Sequence, residues 1–362
     1  MQLHLIFIGN RFIYNKPLQA YIVRNIEHNL NQIDEVRFFK ESDNSLFLYL
    51  EEVLHSTHQL LIVTSKQNFS TIGKLISTVT EDNQVLKERM LIPQKAIQFE
   101  ERTYLLQYKS VLVNVMSMEE GEQLPKLLLQ RVKQEATIHI FDESKEDLVT
   151  ILNPLAQTYE VNFGLTSYVD GWLRVDINSK KYGNISKFIS AAKNLLPQKL
   201  IDAPNIIEYI IEKLSSQGKK ITFAESCTGG LLAYYFTKHN GASQILDGSL
   251  VTYSNSLKEN WLAVEHTVLE REGAVSFEVV AEMSEGALNV SEAHYALSIS
   301  GIAGDGGGTE LKPVGTVYIG ARSKEVHIEK HFHFHGDRNY VQQQSALMAV
   351  KMLLLLDKVT FF

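Results

Sequence analysis

The sequence predicts an α/β chain in three parts: a parallel-sheet domain over 1–130, a small α+β domain over 135–198, and a last α/β domain over 204–362. Three observations point there. Apolar runs of strand length alternate with helix-spaced segments through the first third of the chain, the rhythm of a parallel sheet with helices on both faces. The middle third has strands that alternate in and out, as half-exposed strands do. In the last third the apolar run Ile221-Thr222-Phe223 leads into Ala224-Glu225-Ser226-Cys227-Thr228-Gly229-Gly230 and then an apolar helix, which reads as strand, tight polar turn and helix.

In order, Leu3 to Ile8 reads as a buried strand ending at Gly9. Leu18 to Leu30 is a helix on Tyr21, Ile22, Ile26 and Leu30. Val36 to Phe39 is a second strand, Ser45 to Leu54 a second helix, and Gln59 to Thr64 a fully apolar third strand. Ligands of such sheets sit beyond the carboxyl ends of the strands, which directs attention to Gly9-Asn10-Arg11 and the stretch Thr64 to Thr71. The second, read as a loop, has neither glycine nor carboxylate. The first is either an anion contact or a turn with a surface arginine. In the middle segment Thr137 to Phe141, Tyr159 to Leu165 and Trp172 to Ile177 are strands, with helices over Glu146 to Leu155 and Ile185 to Leu195. Pro197 and Pro204 bracket an expected linker, Gln198 to Ala203. Pro204 is expected at N1 of a helix carrying Ile206, Ile207, Ile210, Ile211 and Leu214, with Gly218 closing it. Ser249 to Tyr253 and Tyr295 to Ser300 are strands, Ser276 caps a helix, and Gly315 to Ala321 with Val326 to Phe334 form a hairpin. Asp337 caps a final helix, Arg338 to Leu356.

Composition narrows the functional classes. The 362 residues are 44% hydrophobic and 21% charged, with a net charge of −7 and no long basic stretch, which argues against a nucleic-acid partner. A single cysteine permits no intrachain disulfide and fits a reducing compartment. No apolar run approaches the ~18 residues of a membrane span, and Met1 to Gly9 lacks the flanks of a signal peptide. A soluble cytoplasmic protein is expected.

Ser226 is the first candidate for chemistry. A small hydroxyl at a helix N-terminus is a cap, an anion ligand, or a nucleophile if a base is near. No histidine is obviously paired with it. Lys258, just past a strand end, is either a solvated lysine or a base whose pKa burial lowers. Cys227 is a rival nucleophile or a small buried hydrophobe. The loop Gly301 to Gly308, after Ser300, is either flexible or an anion nest, and it matches neither a P-loop nor a dinucleotide fingerprint. Arg338 is a phosphate ligand or an ordinary ion-pair partner. His327, His331, His333 and His335 share one face of a strand. The intervening Phe332 and Phe334 favour rings in the core and histidines in water over a metal site.

Taken together, A-E-S-C-T-G-G (224–230), Tyr253-Ser254-Asn255 before Lys258, G-A-V-S (273–276), S-G-I-A-G (300–304), K-P-V-G (312–315) and Gly336-Asp337-Arg338 resemble the CinA C-terminal domain, a family of nicotinamide mononucleotide deamidases. The resemblance covers about 204–357. It implies a serine–lysine amidohydrolase of pyridine nucleotide salvage that converts nicotinamide mononucleotide to nicotinate mononucleotide plus ammonia, with no cofactor required for the amidase. Ser226 is the implied nucleophile, Lys258 its base, and Ser300 a neighbour of the reacting amide where the family has threonine. Arg338 is the implied phosphate partner. Tyr253, Gly301 and Gly304 join the expected substrate site, together with Thr228, Gly229 and Gly230, whose N–H groups are placed, on geometry, around an oxyanion. The family's G-P-D-G-G is replaced by Gly304-Asp305-Gly306-Gly307-Gly308, which implies a looser loop with the carboxylate moved one place, and either reduced activity or altered substrate placement. In layout the chain resembles full-length CinA, whose first domain is molybdopterin-binding-like and associated with metal-dependent ADP-ribose pyrophosphatase activity. Its third-strand loop carries glycines and paired aspartates, which Thr64 to Thr71 lack. The first domain is therefore expected to be degenerate, a scaffold or dimer interface. The implied partners are a small pyridine nucleotide and a second copy in a homodimer. The alternatives are a non-catalytic CinA-like protein associated with competence and DNA damage, and a residual ADP-ribose pyrophosphatase.

Overall fold

The computed structural model describes residues 2–30, 33–130, 135–304 and 306–362. The chain divides into two compact units, residues 1–133 and 134–362.

In the first unit the expected strand and helix alternation forms β1 (Leu3–Ile8), α1 (Asn10–Tyr14), α2 (Lys16–Asn29), β2 (Glu35–Phe39), α3 (Ser45–Ser56), β3 (Gln59–Thr64) and α4 (Lys66–Val79). A hairpin of β4 (Gln84–Lys87) and β5 (Met90–Pro93) follows, then β6 (Ala96–Glu100), β7 (Thr103–Tyr108) and β8 (Val111–Ser117). Among the described residues the main sheet runs β2-β1-β3-β8-β7-β6. Its β2, β1, β3 and β8 are parallel, and β7 and β6 are antiparallel additions. β3 is buried along its whole length because apolar clusters cover both faces of the sheet. The stretch Thr64 to Thr71 is not a loop. Ser65 accepts the Asn68 N–H at 3.3 Å as an N-cap, and Phe69, Ile72 and Ile76 give α4 a buried face. Arg11 is held in ion pairs with Glu119 and Glu120, Lys66 with Glu122, and Arg102 with Glu122.

The second unit opens with β9 (Glu135–Phe141), α5 (Lys145–Thr158), β10 (Val161–Val169), β11 (Trp172–Ser179), α6 (Ile185–Leu195) and β12 (Leu200–Ile201). These form a sheet in the order β10-β11-β9-β12 with its own core under α5 and α6. The expected linker holds β12, which pairs with β9 through Leu200–Ile140 and Ile201–His139. The other side of this sheet brings Phe141, Val169 and Trp172 into the core of the following segment.

That segment contains α7 (Ile206–Ser216), β13 (Ile221–Glu225), α8 (Leu231–Thr237), α9 (Ala242–Ile245), β14 (Leu246–Val251), α10 (Asn255–Leu262) and α11 (His266–Glu272). It continues with α12 (Phe277–Asn289), β15 (Tyr295–Gly301), β16 (Thr316–Ser323), β17 (His327–His333), α13 (Arg338–Leu356) and α14 (Lys358–Phe361). Pro204 lies one residue before the α7 cap rather than at N1, because the Asn205 side chain takes the Ile207 and Glu208 N–H groups. The sheet order is β14-β13-β15-β16-β17, parallel across β14, β13 and β15 and antiparallel beyond. Period two sorts its faces. Phe223, Leu297 and Ile299 meet α7, α8 and α13, while Ala224 and Ala296 meet α10, α11 and α12.

α13 is buried on most sides, lying against this sheet and the β9–β11 sheet. Its one interior cation, Lys351, donates to Asp170 O at 2.8 Å and pairs with Asp142 at 3.0 Å. Among the described residues no helix is long and apolar enough to cross a membrane.

α12 and α10 meet backbone to backbone. A Cβ placed on Gly286 would lie 2.0 Å from Leu262 O. In an ordinary helix Gly→Ala is stabilising by ~1 kcal/mol. Here the sign reverses, because α10, which carries Lys258, would be pushed away. Gly286→Ala is expected to lower stability by about 1–3 kcal/mol in urea titrations, and a stabilised variant would show that this contact is not close.

Candidate active site

The polar turn after β13 sits where the carboxyl ends of three parallel strands converge, with Glu225 in register with Val251 and Ile299. This is the place where open α/β sheets hold ligands. Two main-chain bonds fix it. Ser226 N–H donates to Ile299 O at 2.9 Å, and Thr252 N–H donates to Glu225 O at 2.8 Å. Ser254 then caps α10 by accepting the Leu257 N–H at 3.3 Å, which starts the helix at the register that turns Lys258 inward.

Lys258 and Ser226 are brought together. Nζ lies 3.2 Å from Ser226 Oγ and donates to Thr252 O at 2.8 Å. Lys258 is 1% exposed and Ser226 9%. Among the described residues no carboxylate pairs with this amine, so nothing offsets the cost of burying its charge. Burial accordingly holds its pKa below the usual lysine value, with Cys227 acting weakly in the opposite direction. A neutral amine that donates one hydrogen to Thr252 O keeps its lone pair for the Ser226 hydroxyl.

The pair opens into a cavity of about 350 Å³, within the range of small-molecule sites, lined also by Tyr253, Ser300, Gly301, Gly304 and Arg338. Ser300, at 1% exposure, donates its only hydroxyl hydrogen to Ala274 O at 2.7 Å, so it presents acceptor lone pairs alone to a ligand. Gly301 lies against the β16 backbone, where a Cβ would come within 2.8 Å of Thr316 O. Gly304 lies under Arg338, where a Cβ would be 2.8 Å from Nε. The Arg338 guanidinium is exposed and has no hydrogen bond or ion pair among the described residues. Tyr253, 62% exposed, stands at the rim. Asp305, whose carboxylate is displaced by one position relative to the family pattern, lies outside the described residues.

The other half of the turn is placed differently from expectation. Thr228, Gly229 and Gly230 do not line the cavity. The Gly229 N–H closes the turn onto Ser226 O at 3.0 Å, and the Gly230 N–H donates to Glu225 Oε2 at 3.0 Å. Neither is free to serve an oxyanion. Among the described residues the N–H groups of Cys227 and Thr228 donate to no other residue, and Cys227 lines the cavity.

Four residues that motif reading left without a role shape the site. Glu225 is buried under the turn. Thr252 supplies the carbonyl that holds Lys258. Gln342 on α13 donates to Cys227 O at 2.6 Å. Lys312, in the K-P-V-G stretch, donates to Glu272 O and Val275 O at 2.7 Å each and pins the segment that Ser300 touches. Glu225 and Lys312 lie inside quoted motifs, but all their partners except the Ser249 hydroxyl are backbone atoms that the sequence does not display. The histidines of β17 are exposed, with Phe332 and Phe334 turned to the core. Among the described residues no three metal-binding side chains cluster.

Residues 204–356 match the sequence model of the CinA C-terminal domain. A CinA-like protein of Thermotoga maritima is 44% identical over 146 residues, 40% of this chain and 36% of that protein. A putative competence-damage inducible protein of Caldicellulosiruptor saccharolyticus is 42% identical over 153 residues, 42% of this chain and 37% of that protein. Among solved structures, the competence/damage inducible protein CihA of Agrobacterium tumefaciens is 34% identical over 42% of this chain and 93% of its own, with a TM-score of 0.42. The matched stretch therefore spans little more than a third of these curated relatives' length. The ordered motifs and the matched model coincide over the cavity-bearing segment, so it is the site-bearing part of the chain, residues 204–356, that is similar to the CinA C-terminal domain.

Proposed function

We propose that the last domain is an amidohydrolase acting on the carboxamide of a pyridine mononucleotide, nicotinamide mononucleotide being the first substrate to test. The observation that carries this reading is the buried Lys258 amine, without an ion-pair partner among the described residues, 3.2 Å from the Ser226 hydroxyl at the wall of a cavity. Neutral Lys258 takes the Ser226 proton as Oγ bonds to the carboxamide carbon, and the carbonyl π pair moves to oxygen. The N–H of Cys227, which lines the cavity and donates to no other residue among those described, is the donor left for that oxyanion. The proton passes from Lys258 to the amide nitrogen, the C–N bond breaks and ammonia leaves. Water, deprotonated by Lys258, then hydrolyses the ester and the proton returns to Ser226. Ser300 accepts from the carboxamide NH2, which favours amide over carboxylate, and Arg338, which also lines the cavity, meets the phosphate.

Cys227 fits this scheme poorly as a nucleophile. It is 4% exposed, and burial pushes its thiol up to about 12. In the first unit the cations at the strand ends are paired with Glu119, Glu120 and Glu122, and Thr64 to Thr71 supplies no carboxylate to hold a metal. We propose that this unit has no ADP-ribose pyrophosphatase activity. The cytoplasmic location and homodimer implied by the family belong to the same proposal.

Ser226→Ala and Lys258→Ala should each cut ammonia release from nicotinamide mononucleotide by more than about 10³-fold with unchanged circular dichroism; full activity in either would end the dyad reading. The neutral amine is the active form, so kcat/KM should rise with pH and level off with a midpoint below the ~10.4 of free lysine, and Lys258→Arg should show no such limb. Iodoacetamide at pH 8 should leave Cys227 unmodified in the native protein and alkylate it in urea, as read by mass spectrometry. The intact protein with magnesium or manganese should release no AMP from ADP-ribose, and chelator should leave ammonia release unchanged.

A further inference from the structure

Glu225 is fully buried and takes no part in the chemistry above. Its carboxylate accepts four hydrogen bonds: Gly230 N–H and Leu232 N–H at Oε2, Ala233 N–H and the Ser249 hydroxyl at Oε1, each at 3.0 Å. Three of these donors are in the turn and first turn of α8, and the fourth is on β14. An ordinary helix cap satisfies N–H groups from the residue beside the helix. Glu225 reaches them from five residues before Gly230 and also crosses to the neighbouring strand.

Both members of the dyad hang from this residue. Ser226 is its chain neighbour. Its own carbonyl takes the Thr252 N–H at 2.8 Å, and the Thr252 carbonyl takes Lys258 Nζ at 2.8 Å. The carboxylate thus ties α8 to β14, while the main chain of the same residue ties Ser226 to the strand end that orients the amine. We infer that Glu225 is the positioning residue of the site, fixing the separation and approach of Ser226 Oγ and Lys258 Nζ without touching substrate. This inference rests on the dyad reading and deepens it. Positioning matters at this scale, since a misplacement of about 1 Å costs ~10²-fold in rate.

The test is Glu225→Gln in the full chain. The amide NH2 replaces one acceptor oxygen and meets N–H or O–H donors whichever way it is turned. Two rates are read, kcat for ammonia release from nicotinamide mononucleotide and the rate at which a fluorophosphonate probe labels Ser226, followed by mass spectrometry. Both should fall together by about 30- to 100-fold, with KM unchanged, because Arg338 and Gly304 are untouched. In a Ser226→Ala background the same change should reduce residual activity no further. Ser249→Ala keeps the carboxylate and removes one donor at a partly exposed site; it should reduce the same two rates several-fold with the melting temperature nearly unchanged. A lower melting temperature with both rates intact would make Glu225 a helix cap only, and a raised KM with intact kcat would move its role to substrate binding; either overturns the inference. If Glu225→Gln does not fold, the two rates of Ser249→Ala decide alone, and unchanged rates refute it. If the wild-type protein releases no ammonia, the substrate reading fails while the labelling rates still decide whether Glu225 positions Ser226.

Discussion

A buried amine with no counter-ion among the described residues is the constraint around which the last domain is arranged. Burying a charged ammonium without a partner is costly on any scale, and the fold supplies Lys258 with two neutral oxygens and, among the described residues, no carboxylate. Other lysines of the same unit show the contrast: Lys351 finds Asp142, and Lys220 finds Asp247. A lysine whose purpose was structural would gain from such a partner. Depriving Lys258 of one sacrifices stability and leaves a lone pair facing a hydroxyl.

Around that pair, backbone atoms are held by side chains from distant parts of the sequence. Gln342 fixes the Cys227 carbonyl, Lys312 fixes the carbonyls of Glu272 and Val275, and Ser300 fixes that of Ala274. The cavity wall is therefore loop-like in conformation but anchored residue by residue to helix and strand. This matches what a preorganised site needs, since donors aimed in advance do not have to reorganise as charge develops. The close approach at Gly301 and the Arg338–Gly304 stacking show why glycine recurs on this wall: a side chain there would occupy space already taken by backbone or guanidinium.

Much of this was legible in the sequence. Period-two and period-3.6 patterns located β1, β2, β3, β13, β15, the closing hairpin, α6 and α13 closely, and the ordered motifs brought Ser226, Lys258, Ser300, Tyr253 and Arg338 to one cavity. What escaped has physical causes. The hairpins between residues 84 and 117 turn on Glu88, Arg89, Arg102 and Lys109 at positive φ, so the glycine and asparagine punctuation of turns is missing. β12 has two residues, too few for a period. The helix starting at Lys66 is masked in the sequence by a polar first turn, although Phe69, Ile72 and Ile76 carry the helical spacing. The glycine pair Gly229-Gly230 announces available N–H groups in the sequence, whereas the turn consumes them internally, one through a glutamate five residues back.

α13 has one further consequence. Its first residue, Arg338, overlies Gly304 in the cavity wall, and thirteen residues on, a rise of about 20 Å, Lys351 grips Asp142 and the Asp170 carbonyl in the neighbouring sheet. A helix packed on most sides transmits axial and rolling displacements without absorbing them. The small sheet is thus a footing for the arm that reaches the cavity. Whatever coupling free energy links the position of Arg338 to the seating of that sheet is, by thermodynamic reciprocity, the same read from either end.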